Sequence, residues 1–507
     1  MKNEGICYLV GAGPGDIGLV TLRARECVEM ADVLLFDALA NPAILRWAPA
    51  NCERIDVGKR AKKHTMPQDE INALIVDRTR AGKRVVRLKG GDPMIFGRGG
   101  EEAAELAAAG VPFEIVPGIS STIAGPAYAG IPVTHRDHNT MLTIFTGHED
   151  PTKGPSTVDY ALLAKTPGTK VFLMGVARLG EITKTLIEHG ASPATPIALT
   201  RWATTGAQKT ITGTLETIAA IATETQFASP AVAVIGDVVR EREKINWFEN
   251  RPLFGKRIVV TRTREQAGVL GKQLADLGAD VIELPTIRID PPEDRHEFAH
   301  MVAEAHTYDW LIFTSPNGVE KFFEAFYQAY GDARSLGNPR IAAIGPGTAA
   351  KIKEYRFTVD LLPERYVAEG LIEAFKKESV ENLTMLWIKA AETRDVISTE
   401  LAAMGAIIDE CIAYRTVAET EDPTGAAARL RGEGADIITF TSSSTVDHFF
   451  DMDIPWPDGC LAASIGPVTG KTLREHGHPP DIEATRHDIP GLVEAIVDHL
   501  HSSSQMT

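Results

Sequence analysis

Cysteine is scarce in this 507-residue chain, and the little there is does not cluster. Cys7, Cys27, Cys52, Cys411 and Cys460 form no C-x-x-C pair, which argues against a metal site built on cysteine. Cys7 and Cys411 sit in apolar contexts and read as small core residues of a protein in a reducing cytoplasm. Long apolar runs are missing too: none approaches the roughly 18 to 20 residues that span a bilayer. No membrane association is expected. Met1-Lys2-Asn3-Glu4 passes almost at once into a strand-like run, leaving no room for a signal peptide. Nor is there an excess of positive charge. The formal net charge is −16; residues 1–250 hold 27 Lys and Arg against 28 Asp and Glu, the remainder 25 against 40. Bulk nucleic-acid binding is therefore not expected.

What the chain does have is length and alternation. A chain of 507 residues outgrows one hydrophobic core, so about three or four domains are expected. In the first half, β-rich runs at Ile6–Val10, Val33–Phe36, Val85–Leu88, Leu142–Thr146, Val171–Met174, Ile197–Leu199 and Ala231–Ile235 alternate with helical stretches. That is the pattern of an α/β fold. The stretch Pro67–Arg80 predicts a helix, with Thr65 and Gln68 as a capping box, Ile71, Leu74 and Ile75 on one face and Gly82 after its end. Val116-Pro117-Gly118 predicts a hinge between two subdomains near residue 115.

The first strand runs into Gly11-Ala12-Gly13-Pro14-Gly15-Asp16. This differs from the dinucleotide fingerprint G-x-G-x-x-G, because Asp16 stands where the third glycine belongs and would repel a pyrophosphate. A carboxylate there suits a cationic cofactor without phosphate, such as S-adenosylmethionine; the same residues also read as a plain strand-to-helix turn. Residues 51–100 form a basic island of 12 Lys and Arg against 6 Asp and Glu. It is either a solvated helix face or a landing surface for a polyanionic small molecule.

A charged run at Arg240–Lys244, followed by Trp247–Pro252 and a fresh strand at Lys256–Arg262, predicts a linker and then an independent α/β unit. That unit repeats itself weakly. Trp310–Ser315 resembles Ile437–Ser442, each followed by paired phenylalanines (Phe322-Phe323 and Phe449-Phe450), and Ile341–Pro346 resembles Ala462–Pro467. The repetition implies two similar lobes facing a cleft. The strand-end pairs Thr314-Ser315 and Thr441-Ser442 can present hydroxyls and N–H groups to an anion, or can simply cap helices.

The opening loop, Val86–Glu102 (containing Gly90-Gly91-Asp92 and Gly97-Arg98-Gly99-Gly100-Glu101-Glu102), Val116–Ser120 and Ala127–Arg136 together resemble uroporphyrinogen-III C-methyltransferase over residues 5 to about 245. From residue 253 onward, Gly255–Arg262, the two Thr-Ser loops, the two Ile-Gly-Pro turns and Ala413-Tyr414-Arg415-Thr416 resemble uroporphyrinogen-III synthase. The pairing supports itself, since the second family makes the first one's substrate.

The resemblance implies a tetrapyrrole methyltransferase fold of two α/β subdomains (1–115 and 116–245). After a linker (246–254) comes a two-lobed α/β synthase fold, with lobe 1 at 255–289 and 417–507 and lobe 2 at 290–416. It implies a homodimer through the first half. Contacts to S-adenosylmethionine fall to Pro14, Gly90, Gly91, Asp92, Ile95, Ser120, Ser121, Met174 and Ala203. Asp37 matches the family's base and Lys59 its proton donor; as bare residues both read equally as surface charges, and Met174 as a core methionine. Lys59, Arg60, Lys62, Lys63, Arg87 and Arg98 are the island's candidates for meeting substrate carboxylates. The implied substrate of this half is uroporphyrinogen III, methylated at C2 and C7 to precorrin-2, where the pathway of this chain is expected to stop.

For the second half the resemblance implies cyclisation of hydroxymethylbilane without metal or cofactor, with Tyr414 as acid or as a structural tyrosine. Arg262, Thr314, Ser315, Thr441 and Ser442 are the substrate-binding candidates, with Arg264, Lys389 and Arg394 as further cations. A second half that only binds tetrapyrrole, a first half acting on a later corrin or an RNA base, and an oxidoreductase are the competing readings.

Overall fold

A computed structural model describes residues 5–58, 66–148, 157–393, 395–422 and 424–504, with the backbone alone for 264–267 and 503–504. Its strands form four five-stranded sheets, each wrapped by helices.

The first sheet contains β1 (Ile6–Gly11), β2 (Val33–Phe36), β3 (Glu53–Asp56), β4 (Arg84–Lys89) and β5 (Phe113–Val116), in the order β3-β2-β4-β1-β5. Every pairing is parallel, with Val10 level with Leu88 on one side and Val116 on the other. Parallel strands need helical crossovers, and these cover both faces. The loops that leave β1, β2, β4 and β5 consequently emerge side by side at one end. The helix Gln68–Arg80 starts at Pro67 without a side-chain cap. Thr65, expected in a capping box, lies outside the described residues; Gln68 instead donates to Asn72 and Glu102.

The second sheet joins β6 (Leu142–Thr146), β7 (Thr169–Leu173), β8 (Pro196–Arg201), β9 (Lys209–Thr214) and β10 (Ala231–Ile235), in the order β6-β7-β10-β8-β9. β10 runs antiparallel to both β7 and β8, so those two end on the same side. The stretch after this sheet is anchored: Phe248 is buried, and its ring and that of Trp247 pack on Tyr128.

The remaining strands are β11 (Arg257–Val260), β12 (Asp280–Glu283), β13 (Ile287–Asp290), β14 (Trp310–Phe313), β15 (Arg340–Ala343), β16 (Thr384–Ala390), β17 (Ile407–Ala418), β18 (Ile437–Phe440), β19 (Leu461–Ser464) and β20 (Ile482–Glu483). They make sheets of order β12-β11-β18-β19-β20 and β13-β17-β16-β14-β15. The sequence repeat becomes a structural one. β14 and β18 each pair in parallel with the strand that ends in Ile-Gly-Pro, β15 and β19. The helices Pro316–Ala329 and Ser443–Asp451 follow the Thr-Ser loops, and Phe322, Phe323 and Phe449 are wholly buried beneath them.

Candidate functional site

Three glycine loops meet at the end of the first sheet. Gly13 and Gly91 exchange both backbone hydrogen bonds, at 3.2 and 2.7 Å, and Ala12 N–H donates to the Lys89 carbonyl. A Cβ on Gly11 would stand 2.5 Å from Gly118 Cα and 2.7 Å from the Gly91 carbonyl oxygen, a spacing only glycine allows. Gly91 needs its left-handed conformation (φ +71°) to turn beneath Ser120 and Ser121. Asp92 ties two of the loops together: one carboxylate oxygen accepts from Met94 N–H and the other from Gly118 N–H. Ser120 caps the helix Ser121–Tyr128. Leu39, Met94, Ile95, Phe96, Ile119 and Ile123, all on or beside these loops, are exposed.

Asp37 follows β2 at the same end. Its carboxylate accepts from Leu39 and Ala40 N–H and, at 3.3 Å, from Gly90 N–H. The structure thus brings together Asp37, Gly90, Gly91, Asp92, Ser120 and Ser121, with Ile95 in the turn after Asp92. Pro14 lies in the loop that also reaches Ala203: a Cβ on Gly15 would touch Thr204, Thr205 and the Ala203 carbonyl. Met174 directly follows β7 in a left-handed conformation (φ +59°) with its side chain half exposed, which is not a core position. Lys59, with Arg60, Lys62 and Lys63, lies outside the described residues.

Three charged residues behave differently from expectation. Asp16 does not face an open cradle: it accepts from Gly18 N–H and from the Tyr128 hydroxyl at 2.7 Å, while its own N–H donates to Thr204. Arg87 is buried and bonded to Glu102, so it cannot reach a substrate carboxylate. Arg98 is paired with Glu101 on the surface.

In the second half, Tyr414 is 6 % exposed and its hydroxyl lies 2.8 Å from Ser315 Oγ. Ser315 also caps the helix Pro316–Ala329, accepting from Gly318 N–H at 3.0 Å. Burial pushes the Tyr414 phenol above its ordinary range, against the pull of its bonds to Ser315 and Asn317. Two candidates therefore meet directly. Thr314 accepts from the Trp387 indole at 3.3 Å. Ser442 forms a capping box with Thr445, and Thr441 precedes it, half-buried. Arg262 is half-buried, and desolvation lowers its affinity for its proton. Lys389 is not a cleft cation: it is buried over Trp387 and held by Asp395 and Glu410 at 2.8 and 2.7 Å. Arg394 lies outside the described residues, as does the side chain of Arg264.

Comparison with known proteins gives two family models, "Tetrapyrrole (Corrin/Porphyrin) Methylases" over residues 7–219 and "Uroporphyrinogen-III synthase HemD" over 268–494. "Porphyrin biosynthesis protein HemD" of Ruminiclostridium josui is 36% identical over 93% of this chain and 94% of its own length. The chain belongs to the family of fused uroporphyrinogen-III C-methyltransferase and synthase enzymes. "Uroporphyrinogen-III C-methyltransferase" of Bacillus subtilis is 40% identical over 76% of this chain and 78% of its own length. "S-adenosyl-L-methionine-dependent uroporphyrinogen III methyltransferase" of Methanosarcina barkeri is 53% identical over 47% of this chain and 93% of its own length.

For a member of this fused family, two structural participants escaped the sequence reading. Gly118 sits against Gly11 and Gly91, whereas Val116-Pro117-Gly118 reads in the sequence as a hinge and a family string, not as a wall of this site. Glu102, which entered the sequence analysis only as the last residue of a family string, lies wholly buried between Arg87 and Lys89. No helix among the described residues is long and apolar enough to cross a membrane, and no group of side chains among them has the makings of a metal site.

Proposed function

We propose that this chain catalyses two successive steps of tetrapyrrole construction. The C-terminal half closes hydroxymethylbilane to uroporphyrinogen III. The N-terminal half methylates that product at C2 and C7, with S-adenosylmethionine as donor, to give precorrin-2. The carrying observation is the convergence of the Gly11, Gly91 and Gly118 loops beside Asp37. That cradle fits the cofactor. It is lined by backbone that no Cβ crowds, its carboxylates are Asp37 and Asp92, and the nearby Lys89 and Arg87 are turned inward to Glu102. An acidic, backbone-lined site suits a sulfonium with an ammonium group and disfavours a phosphate.

When bound, S-adenosylmethionine supplies a methyl group on a sulfonium, an electrophile that requires alignment more than covalent help. Pro14, Gly90, Gly91, Asp92, Ile95, Ser120, Ser121, Met174 and Ala203 are the residues proposed to hold it. The exposed apolar side chains Met94, Phe96 and Ile119 exclude water from the acceptor carbon. Alkylation of a pyrrole carbon leaves positive charge that loss of a proton relieves. Asp37 takes that proton, its carboxylate oriented by three backbone N–H groups. Lys59 is proposed as the proton donor on the family pattern alone. In the second half Tyr414 delivers a proton to the departing hydroxyl of hydroxymethylbilane, and Arg262, Thr314, Ser315, Thr441 and Ser442 receive the substrate's carboxylates. The four subdomains set out above, a homodimer through the first half and a cytoplasmic location complete the proposal.

A second reading has an observation of its own. Tyr414 is buried and its hydroxyl is already bonded to Ser315, as expected of a structural tyrosine in a module that binds tetrapyrrole without turning it over. One assay separates the two: hydroxymethylbilane with and without S-adenosylmethionine, the oxidised products resolved by chromatography and mass. Type III porphyrin without the cofactor and a dimethylated product with it are expected. Type I porphyrin alone would leave the second half as a binding module.

A further inference from the structure

β4 is the middle strand of a parallel sheet, a position normally filled by apolar side chains on both faces. One face obeys, with Val86 and Leu88 in a core cluster. The other carries Arg87 and Lys89, two residues apart and so on the same side, both about 4 % exposed. Between them stands Glu102, from the first turn of the helix Gly99–Ala108, with its side chain wholly buried. Glu102 Oε1 accepts from Lys89 Nζ at 2.8 Å, Gln68 Nε2 at 3.1 Å and Arg87 Nε at 3.2 Å. Oε2 has no partner among the described residues.

This is a poor arrangement for stability. Two cations share one carboxylate away from water, and buried ion pairs rarely repay their desolvation even when matched. Burial opposes the charge on Lys89, and so does the neighbouring Arg87; the Glu102 and Asp37 carboxylates favour it. The next residue along the chain explains what the cluster secures. Gly90 N–H faces both Asp37 oxygens at 3.3 Å, Lys89 C=O holds Ala12 N–H at 2.7 Å, and Gly91 is locked to Gly13.

We propose that Glu102 is a positioning residue for methyl transfer: by pinning Lys89 and Arg87 inside the sheet it fixes the register of Lys89-Gly90-Gly91, from which the Asp37 carboxylate and the Gly13 loop are both hung. This rests on reading Asp37 as the base. The link from the pinned strand end to Asp37 is the Gly90 N–H, which follows Lys89 directly and faces both carboxylate oxygens.

The test compares Asp37→Asn, Glu102→Gln and Lys89→Met in the full chain. Methylation of supplied uroporphyrinogen III is followed at saturating S-adenosylmethionine, with calorimetric binding of S-adenosylhomocysteine and thermal melting alongside. Lys89→Met leaves Arg87 and Glu102 as a matched pair, so it folds even if Glu102→Gln does not. The expected result is a kcat lower by about ten-fold or more in both variants, with KM for uroporphyrinogen III within about three-fold and the melting point of Lys89→Met unchanged or higher. A merely structural cluster would not lower kcat while stability holds. Folded Glu102→Gln or Lys89→Met enzyme with unaltered kcat, beside an impaired Asp37→Asn, overturns the proposal alone. An unimpaired Asp37→Asn overturns the reading of Asp37 and the proposal with it.

Discussion

Tyr414 shows what one side chain can be asked to do twice. Its hydroxyl shares a bond with Ser315 Oγ, and the same oxygen caps a fourteen-residue helix. Tyr414→Phe removes the hydroxyl's bonds to Ser315 and Asn317 and leaves the cap, so it should cost about 1–2 kcal/mol of stability. Ser315→Ala also loses the cap and should cost about 1 kcal/mol more. If Tyr414 delivers the proton to the departing hydroxyl, Tyr414→Phe lowers type III formation by about a hundred-fold, the usual worth of a placed acid. Melting curves and the ratio of type III to type I porphyrin check both parts. A wild-type ratio in Tyr414→Phe makes the tyrosine structural. The chemical type of such residues was legible in the sequence; their engagement was not. Asp16 reads as a ligand-facing carboxylate and Lys389 as a cleft cation, yet Asp16 is taken by Tyr128, 112 positions away, and Lys389 by Glu410, 21 positions away. Charge is a property of one residue, whereas a partner is a property of the fold.

At the scale of elements, the reading succeeded where burial is two-sided. β1, β2 and β10 were recognisable within a residue because strands inside a covered sheet are continuous apolar runs, while the edge strand β6 was found from its β-branched and aromatic residues alone. The strands of this half that were not recognised, β3, β5 and β9, are all edges of their sheets. An edge strand buries less and keeps polar residues, as in Glu53-Arg54-Ile55-Asp56 and Lys209–Thr214. The glycine loops were legible as loops, but not that three of them close on one another. Gly11→Ala tests that closure. Its Cβ would meet Gly118 Cα at 2.5 Å, so the backbone must shift, at a cost of about 1–3 kcal/mol. Gly110→Ala is the control, since its left-handed backbone (φ +66°) strains an alanine but nothing lies within 4 Å of the added Cβ. Both should melt lower than the wild type. Only Gly11→Ala should weaken S-adenosylhomocysteine binding, by about ten-fold or more. Equal binding in the two variants would remove the loop cluster from the cofactor site.

Considered whole, the molecule keeps its proposed sites on separate parts of the chain. The residues proposed for methyl transfer all precede residue 204, and those proposed for ring closure all follow residue 261. Each set is held by sheets of its own, and no residue is asked to serve both reactions. The charge is divided the same way, with nearly all the excess negative charge beyond residue 250. Such an arrangement does not require the intermediate to stay on one chain. Asp37→Asn should convert hydroxymethylbilane to uroporphyrinogen III and stop. Tyr414→Phe should give mainly the type I isomer from the bilane while still methylating supplied uroporphyrinogen III. Mixed in equal amounts, the two variants should restore the dimethylated product at about half the wild-type rate per total chain, because each contributes one intact site. Chromatography of the mixture against each variant alone measures this directly. Product from the mixture means that uroporphyrinogen III passes through solution between sites. Failure of the mixture, with each partial activity intact, would mean that the intermediate is handed over within a single chain.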